Sequence, residues 1–368
     1  MRFSVNCVTP TVYEMSEPAG NKTKKFTPAG IIFAVLGLML FAYFVKKAGV
    51  AEIVDGIKRL GAGFLLVLLI SSVRPTVRSL AWTLCFEKPY TLSFFSALRA
   101  YMVGDSIGTL IPLGIVVSEP VKAALVRDRV PFAIGFSALV VENLFYSLSV
   151  ALFILTGTLA LLLSFPLPKP LWIASVGALA CVIIVIIAAY FVIRRQLKFV
   201  SGALEFLYGR GVARNFLETR RGRVRTIEDR IYGFYSRNSS RFLPILLLES
   251  FFHLAGVAEV YVTLLFISDM HPTLLAAFIL ESVNRFINVV FKFIPLRVGI
   301  DEAGTGLLTK ILQFGTASGV TLAIVRKARI VCWTAIGVAF LVRRGLSLKS
   351  VTEETEAAMA QARAARQP

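Results

Sequence analysis

At 368 residues the chain has room for two soluble domains, yet 56% of it is hydrophobic, 17% is charged and its mean hydropathy is +0.74. That balance excludes an ordinary soluble enzyme and describes an all-α, polytopic membrane protein. The formal net charge of +18 does not signal nucleic acid, because the basic residues gather in short loops between apolar runs, where cytoplasmic retention and contact with anionic headgroups account for them.

Residues 1–27 are polar and turn-rich, lack an apolar core of signal-peptide length, and read as a flexible tail. A helix needs roughly 20 apolar residues to cross hydrocarbon. The stretches of about that length are Pro28 to Val45, Gly63 to Phe86, Phe94 to Ile111, Phe132 to Phe165, Leu171 to Ile193, Leu243 to Ile267, Pro272 to Ile294 and Gly319 to Val342. The expectation is about eight transmembrane helices within residues 28–342 of a multi-pass protein of the cytoplasmic membrane, followed by a polar tail at 343–368. Between the fifth and sixth spans, residues 194–241 carry twelve Lys or Arg against four Asp or Glu, which places this linker on the cytoplasmic side and divides the domain into halves at 63–193 and 243–342. Segments of the linker such as LKFVSGALEFLYG suit helices lying on the membrane surface, or a solvated connection. Cys7, Cys85, Cys181 and Cys332 are far apart, so no disulfide framework, metal or cofactor is expected.

A phrase recurs in the two halves. IPLGIVVSEP at 111–120 and IPLRVGIDEA at 294–303 share Ile, Pro, Leu and Glu at a constant offset of 183 residues. Each follows an apolar span and leads into a segment too short to cross, Val121 to Arg127 or Ala303 to Phe314, which reads as amphipathic or re-entrant. Proline removes a backbone donor, and freed backbone groups at membrane depth are tolerated where protein or a water-filled cavity satisfies them. Pro112, Gly114, Pro120, Pro295 and Gly299 are therefore read as helix breaks facing an interior. Ser118 is the expected N-cap of the first restart, with Glu119 and Pro120 in its first turn, and Asp301 that of the second, with Glu302 behind it. Such helix ends suit phosphate or carboxylate. A kink that only shapes packing is the alternative.

Ionisable residues inside spans are costly and mark partners or pathways. Arg74 and Arg78 lie one turn apart with Ser71 on the same face, and Arg99 and Asp105 flank the third span's run with Gly104 and Gly108. Glu142 and Asn143 interrupt the fourth span, and Glu249, His253 and Glu259 the sixth. Glu281, Asn284, Arg285, Asn288 and Lys292 form one polar stripe along the seventh. The planar fork of arginine binds oxyanions in pairs, so Arg74, Arg78, Arg99, Arg285, Lys292 and Arg297 are the candidates for headgroup contact. Glu142, Glu249 and Glu281 are counter-charges or proton carriers. His253 reads as a hydrogen-bonded structural histidine, and Arg326, Lys327 and Arg329 as side chains snorkelling from the start of the last span.

The first phrase with its Glu-Pro, VVEN at 140–143, FIPLRVGIDEAG at 293–304 and VRKAR at 325–329 resemble the family named for the transmembrane region of lysylphosphatidylglycerol synthase, flippase-like integral membrane proteins. The resemblance covers roughly residues 28 to 342. Val116, Val117 and Arg297 stand where smaller residues are frequent in that family. Some relatives carry an aminoacyl-transferase domain after the membrane part; here the polar tail follows instead, so a stand-alone, non-enzymatic member is expected. Relatives of this kind occur beside genes for glycolipid, polyprenyl-phosphate or hopanoid metabolism. The resemblance thus implies flipping of an anionic lipid or polyprenyl-phosphate-type lipid, with lipid or glycolipid biosynthesis enzymes as partners. An intramembrane transferase and a non-transporting scaffold for such enzymes are the alternatives. No nucleotide-binding GxxxxGK[ST] stretch is present to drive transport.

Overall fold

The computed structural model describes residues 50–110, 114–195, 199–210, 227–235, 237–291 and 297–343, together with Tyr43, Lys46, Arg225 and Ile294. The expected tail at 1–27, the first span but for helical Tyr43, much of the linker and the tail beyond Arg343 lie outside the described residues, as do Pro112, Lys292 and Pro295.

The described residues are helical, with no strands among them. The helices are α1 (Val50–Leu60), α2 (Gly63–Ser71), α3 (Val73–Leu84), α4 (Phe94–Leu110), α5 (Gly114–Leu125), α6 (Phe132–Ser164), α7 (Lys169–Arg194), α8 (Phe199–Gly209), α9 (Ser239–Ile267), α10 (Leu274–Val290), α11 (Ile300–Ile311) and α12 (Gly315–Arg343). Among the described residues four stretches are long and apolar enough to cross a membrane by length and composition: Gly63–Leu84, Phe132–Ser164, Lys169–Val192 and Ser239–Ile267. The first is divided at Ser72, because Pro75 has no N–H to give the Ser71 carbonyl.

Helix α9 is the hub, packing against α1, α2, α3, α6, α10 and α12. The helix before each phrase packs on the helix that follows the other: α4 on α12, and α10 on α6. Helix α7 is apolar all round and buries none of its described residues, as suits a helix bathed in lipid. Apolar side chains form two main clusters. Along α6 one cluster takes Ala138 to Phe145 and the other Phe153 to Leu161; along α9 one takes Ile245 and the other Val257 to Ile267. Buried Glu142, Ser149, Glu249, His253 and Glu259 lie along the same two helices. Helix association in lipid rests on packing and interhelical hydrogen bonds rather than on water expulsion, so these polar residues are part of what fixes the fold.

Two expectations for the phrases are corrected. Ser118 does not cap a helix, and Pro120 does not break one: α5 opens at Gly114 and runs through both. Neighbouring helices let a proline persist inside a membrane helix. In the second phrase the cap is Gly299, not Asp301. Its φ of 85° is left-handed, as glycine allows, and its N–H donates to Glu302 Oε2 at 2.8 Å.

Where the linker returns to the membrane, Arg241 Nη1 donates to the carbonyls of Leu84 and Phe86 at the end of α3, at 3.1 and 2.6 Å. Beside it, Arg237 grips both oxygens of Glu87 at 3.0 and 3.1 Å. Burial works against the Glu87 charge, but hydrogen bonds from Arg237 and Asn238 outweigh it and hold the carboxyl below its usual range.

Candidate functional site

Three charge clusters meet inside the bundle. In the first, Glu259 of α9 and Glu281 of α10 serve four arginines. Arg74 Nη2 lies 3.1 Å from Glu259 and 3.3 Å from Glu281; Arg285 and Arg326 reach Glu281 at 2.5 and 3.2 Å; Arg329 reaches Glu259 at 2.8 Å. Gly256 makes room for this knot, since a Cβ there would stand 2.5 Å from Glu281 Oε1 and 2.7 Å from Arg74 Nη2. Four guanidinium groups share two carboxylates, which leaves two positive charges uncompensated within the cluster.

The second cluster centres on Arg78. It donates through Nε and Nη2 to Glu142, the latter at 2.8 Å, and to Asn143 Oδ1 at 3.1 Å, while the Tyr146 ring lies 3.8 Å from its guanidinium carbon. In the third, Lys122 of α5 bonds Glu119 at 2.9 Å, stands 3.8 Å from Asp105 and covers the Tyr101 ring at 4.0 Å.

A cavity of about 380 Å³ opens where these clusters meet. Its wall carries four cations, Arg74, Arg78, Lys122 and Arg329, against two carboxylates, Asp105 and Glu119. Arg74 Nε, Ser118 Oγ and Glu119 Oε2 are buried there without a hydrogen-bond partner. Trp333 Nε1 donates to Ser71 Oγ at 2.8 Å on the same wall. Arginine forks with spare donors beside open volume are equipped to replace the water around an oxyanion.

The predicted residues divide accordingly. Arg74, Arg78, Ser118, Glu119 and Asn143 line this cavity, and Glu142, Glu281 and Arg285 hold its arginines or carboxylates without lining it. Arg99 is not part of it: the side chain is exposed on α4, in a separate cleft with Arg343. Nor is the second phrase. Arg297 pairs with Asp301 at 3.2 Å, and Lys327 holds Glu302 and stands 4.0 Å from Asp301, a neutral set of its own. Asn288 is half-buried on α10 with its Oδ1 unbonded, and it too is absent from the wall. His253 bonds Ser149 at 3.1 Å and stacks on Phe153, its ring centroid 4.5 Å away.

Arg326, Lys327 and Arg329 are corrected: α12 opens at Gly315, so they sit near its centre and pair inward instead of reaching for headgroups. Lys122 was hidden in a segment too short to count as a span. The signal that finds these residues is a mismatch of charge, since Glu259 and Glu281 in apolar helices require buried cations from elsewhere.

No curated protein and no solved structure matches the chain. A family model does, over residues 29–338. With the match spanning most of the sequence, and all four quoted motifs inside it, the chain belongs to the family described as the lysylphosphatidylglycerol synthase TM region.

Proposed function

We propose that the chain carries anionic lipid between the leaflets of the cytoplasmic membrane as a multi-pass, non-enzymatic transporter. The phosphate of the headgroup sits in the cavity of about 380 Å³ while the lipid's chains stay in the bilayer. The observation that carries this reading is the wall itself, four cations against two carboxylates around open volume. A charged group at the bilayer centre costs roughly 2.5–3.5 kcal/mol on insertion scales, and the guanidinium forks of Arg74, Arg78 and Arg329 lower that barrier by standing in for water. Phospholipids and polyprenyl-phosphate-type lipids share the phosphate this wall would grip. Membership of the family supports a membrane-lipid role; lipid or glycolipid biosynthesis enzymes are the partners this reading expects.

The test is reconstitution in liposomes with a fluorescent phosphatidylglycerol in one leaflet. Lys122→Met and Arg329→Gln each remove a charge-assisted contact, and each is expected to slow headgroup transfer roughly ten- to a hundredfold. Transfer at the wild-type rate by both variants, at equal protein per vesicle, removes the cavity from the pathway.

A further inference from the structure

Behind Arg78 the charges do not balance. Glu142 of α6 and Glu249 of α9 are both fully buried, at 0% exposure, and one guanidinium serves them. Arg78 is bonded to Glu142 through two nitrogens, whereas its Nε lies 3.8 Å from Glu249. Neither oxygen of Glu249 receives a hydrogen bond from a donor. The same nitrogen, Arg78 Nε, faces both carboxyl groups. Two like charges buried side by side against a single cation repel, which favours a proton on one of them.

Among the described residues, the surrounding elements supply no second cation. Arg74, one turn before Arg78 on α3, is engaged by Glu259 and Glu281. Cys85, just past the end of α3, is buried and uncharged as a thiol, and Arg241 beside it donates to backbone carbonyls. From α4 comes Tyr101, and from α5 Lys122, which Glu119 and Asp105 hold. On α6 the neighbours are Asn143 and Tyr146. On α9, His253 lies one turn from Glu249 and is bonded to Ser149. A buried carboxylate without a partner costs several kcal/mol.

We propose that Glu142 and Glu249 form a proton-binding site whose occupancy is linked through Arg78 to binding of the lipid headgroup. With the cavity empty, the pair holds one proton and one negative charge, which Arg78 balances. A phosphate that draws the Arg78 guanidinium toward the cavity takes that balance away. A second proton then passes from water to a carboxylate oxygen, forming one O–H bond, and it returns to water when the headgroup leaves. Linkage makes the effect reciprocal, so headgroup binding tightens as pH falls. The headgroup half of this scheme rests on the translocation reading; the shared proton does not.

Infrared difference spectroscopy of the whole protein in lipid tests the two halves separately. At neutral pH the wild type is expected to show the carbonyl stretch of a protonated carboxylic acid, shifted in deuterium oxide and lost in Glu249→Gln, whose amide mimics the neutral acid. A wild type without that band, or a band that survives in both Glu249→Gln and Glu142→Gln, overturns the proposal. Binding of phosphatidylglycerol, whose phosphodiester keeps its charge across the range, is then followed against pH. Affinity should rise with falling pH by up to about tenfold per pH unit, and less steeply in Glu249→Gln; an affinity independent of pH in the wild type overturns the linkage. Failure to bind this lipid at any pH, with the band present, sinks the headgroup half along with translocation of this lipid and leaves the shared proton standing.

Discussion

In the first copy of the repeated phrase Glu119 keeps one oxygen without a hydrogen bond and faces a cavity, whereas its counterpart Glu302 is wholly buried and satisfied at both oxygens, by Gly299 N–H and by Lys327. The sequence differences between the copies account for this. Gly299 can take a left-handed φ and stop the chain one residue before α11; its counterpart is Val116, which cannot do so cheaply, and α5 has already begun at Gly114. Arg297 and Lys327 neutralise the second copy's acids, but the matching positions are Gly114 and Leu144, which bring no charge. Glu119 bonds Lys122 of its own helix. A shared local pattern sets a short helix in both places; the charge on the neighbouring helix decides whether the place becomes a joint or a wall of open volume.

The sharpest way to break this contrast is Glu302→Ala. It leaves Lys327, which is 16% exposed, with only the more distant Asp301 at 4.0 Å, and removes the acceptor for Gly299 N–H. Loss of one partner of a buried pair predicts destabilisation of about 3 kcal/mol, read as a lower unfolding midpoint in detergent. Adding Lys327→Ala to the same chain should recover about 1 kcal/mol or more of it. If Glu302→Ala leaves the midpoint in place, the second phrase is no structural joint.

Gly299→Ala is the intermediate case. At a φ of 85° a side chain strains the backbone, with an expected cost of roughly 1–2 kcal/mol. Because the second phrase does not line the cavity, transfer per folded molecule should be unchanged. A loss of transfer with no loss of stability would bring this phrase into the pathway.

The sequence makes the length of the helices legible and their partners much less so. Phe94–Leu110 and Phe132–Ser164 each match their expected span to within a residue, because apolar length alone sets them. The stripe of Glu281, Asn284 and Arg285 follows from helical period, and all three are buried. Periodicity cannot tell that Arg329 will meet Glu259, since that contact depends on how α9 and α12 pack. Starting the last span at Gly319 instead of Gly315 also made the basic triplet look terminal, although the protein holds it among carboxylates near the helix centre. Ser118 misled for a related reason: its pattern fits a cap, but the helix had started a turn earlier.

The smallest change in stability, and the one most specific to the first phrase, is expected from Glu119→Gln. The amide oxygen can still accept from Lys122, so the helix keeps its contact, and the cost should stay under about 1 kcal/mol. The charge in the cavity nevertheless changes by one unit, because Asp105 then stands alone against Arg74, Arg78, Lys122 and Arg329. An anionic headgroup should bind more tightly, by roughly tenfold if the gain reaches 1.4 kcal/mol, and leave more slowly, so that transfer falls while retention of phosphatidylglycerol through purification rises. Most single changes in a binding site weaken binding, which makes the sign the useful part of this experiment. Weaker retention in Glu119→Gln would mean that the carboxylate helps to hold the ligand, and the cavity would then have to serve a headgroup carrying a positive charge as well as its phosphate.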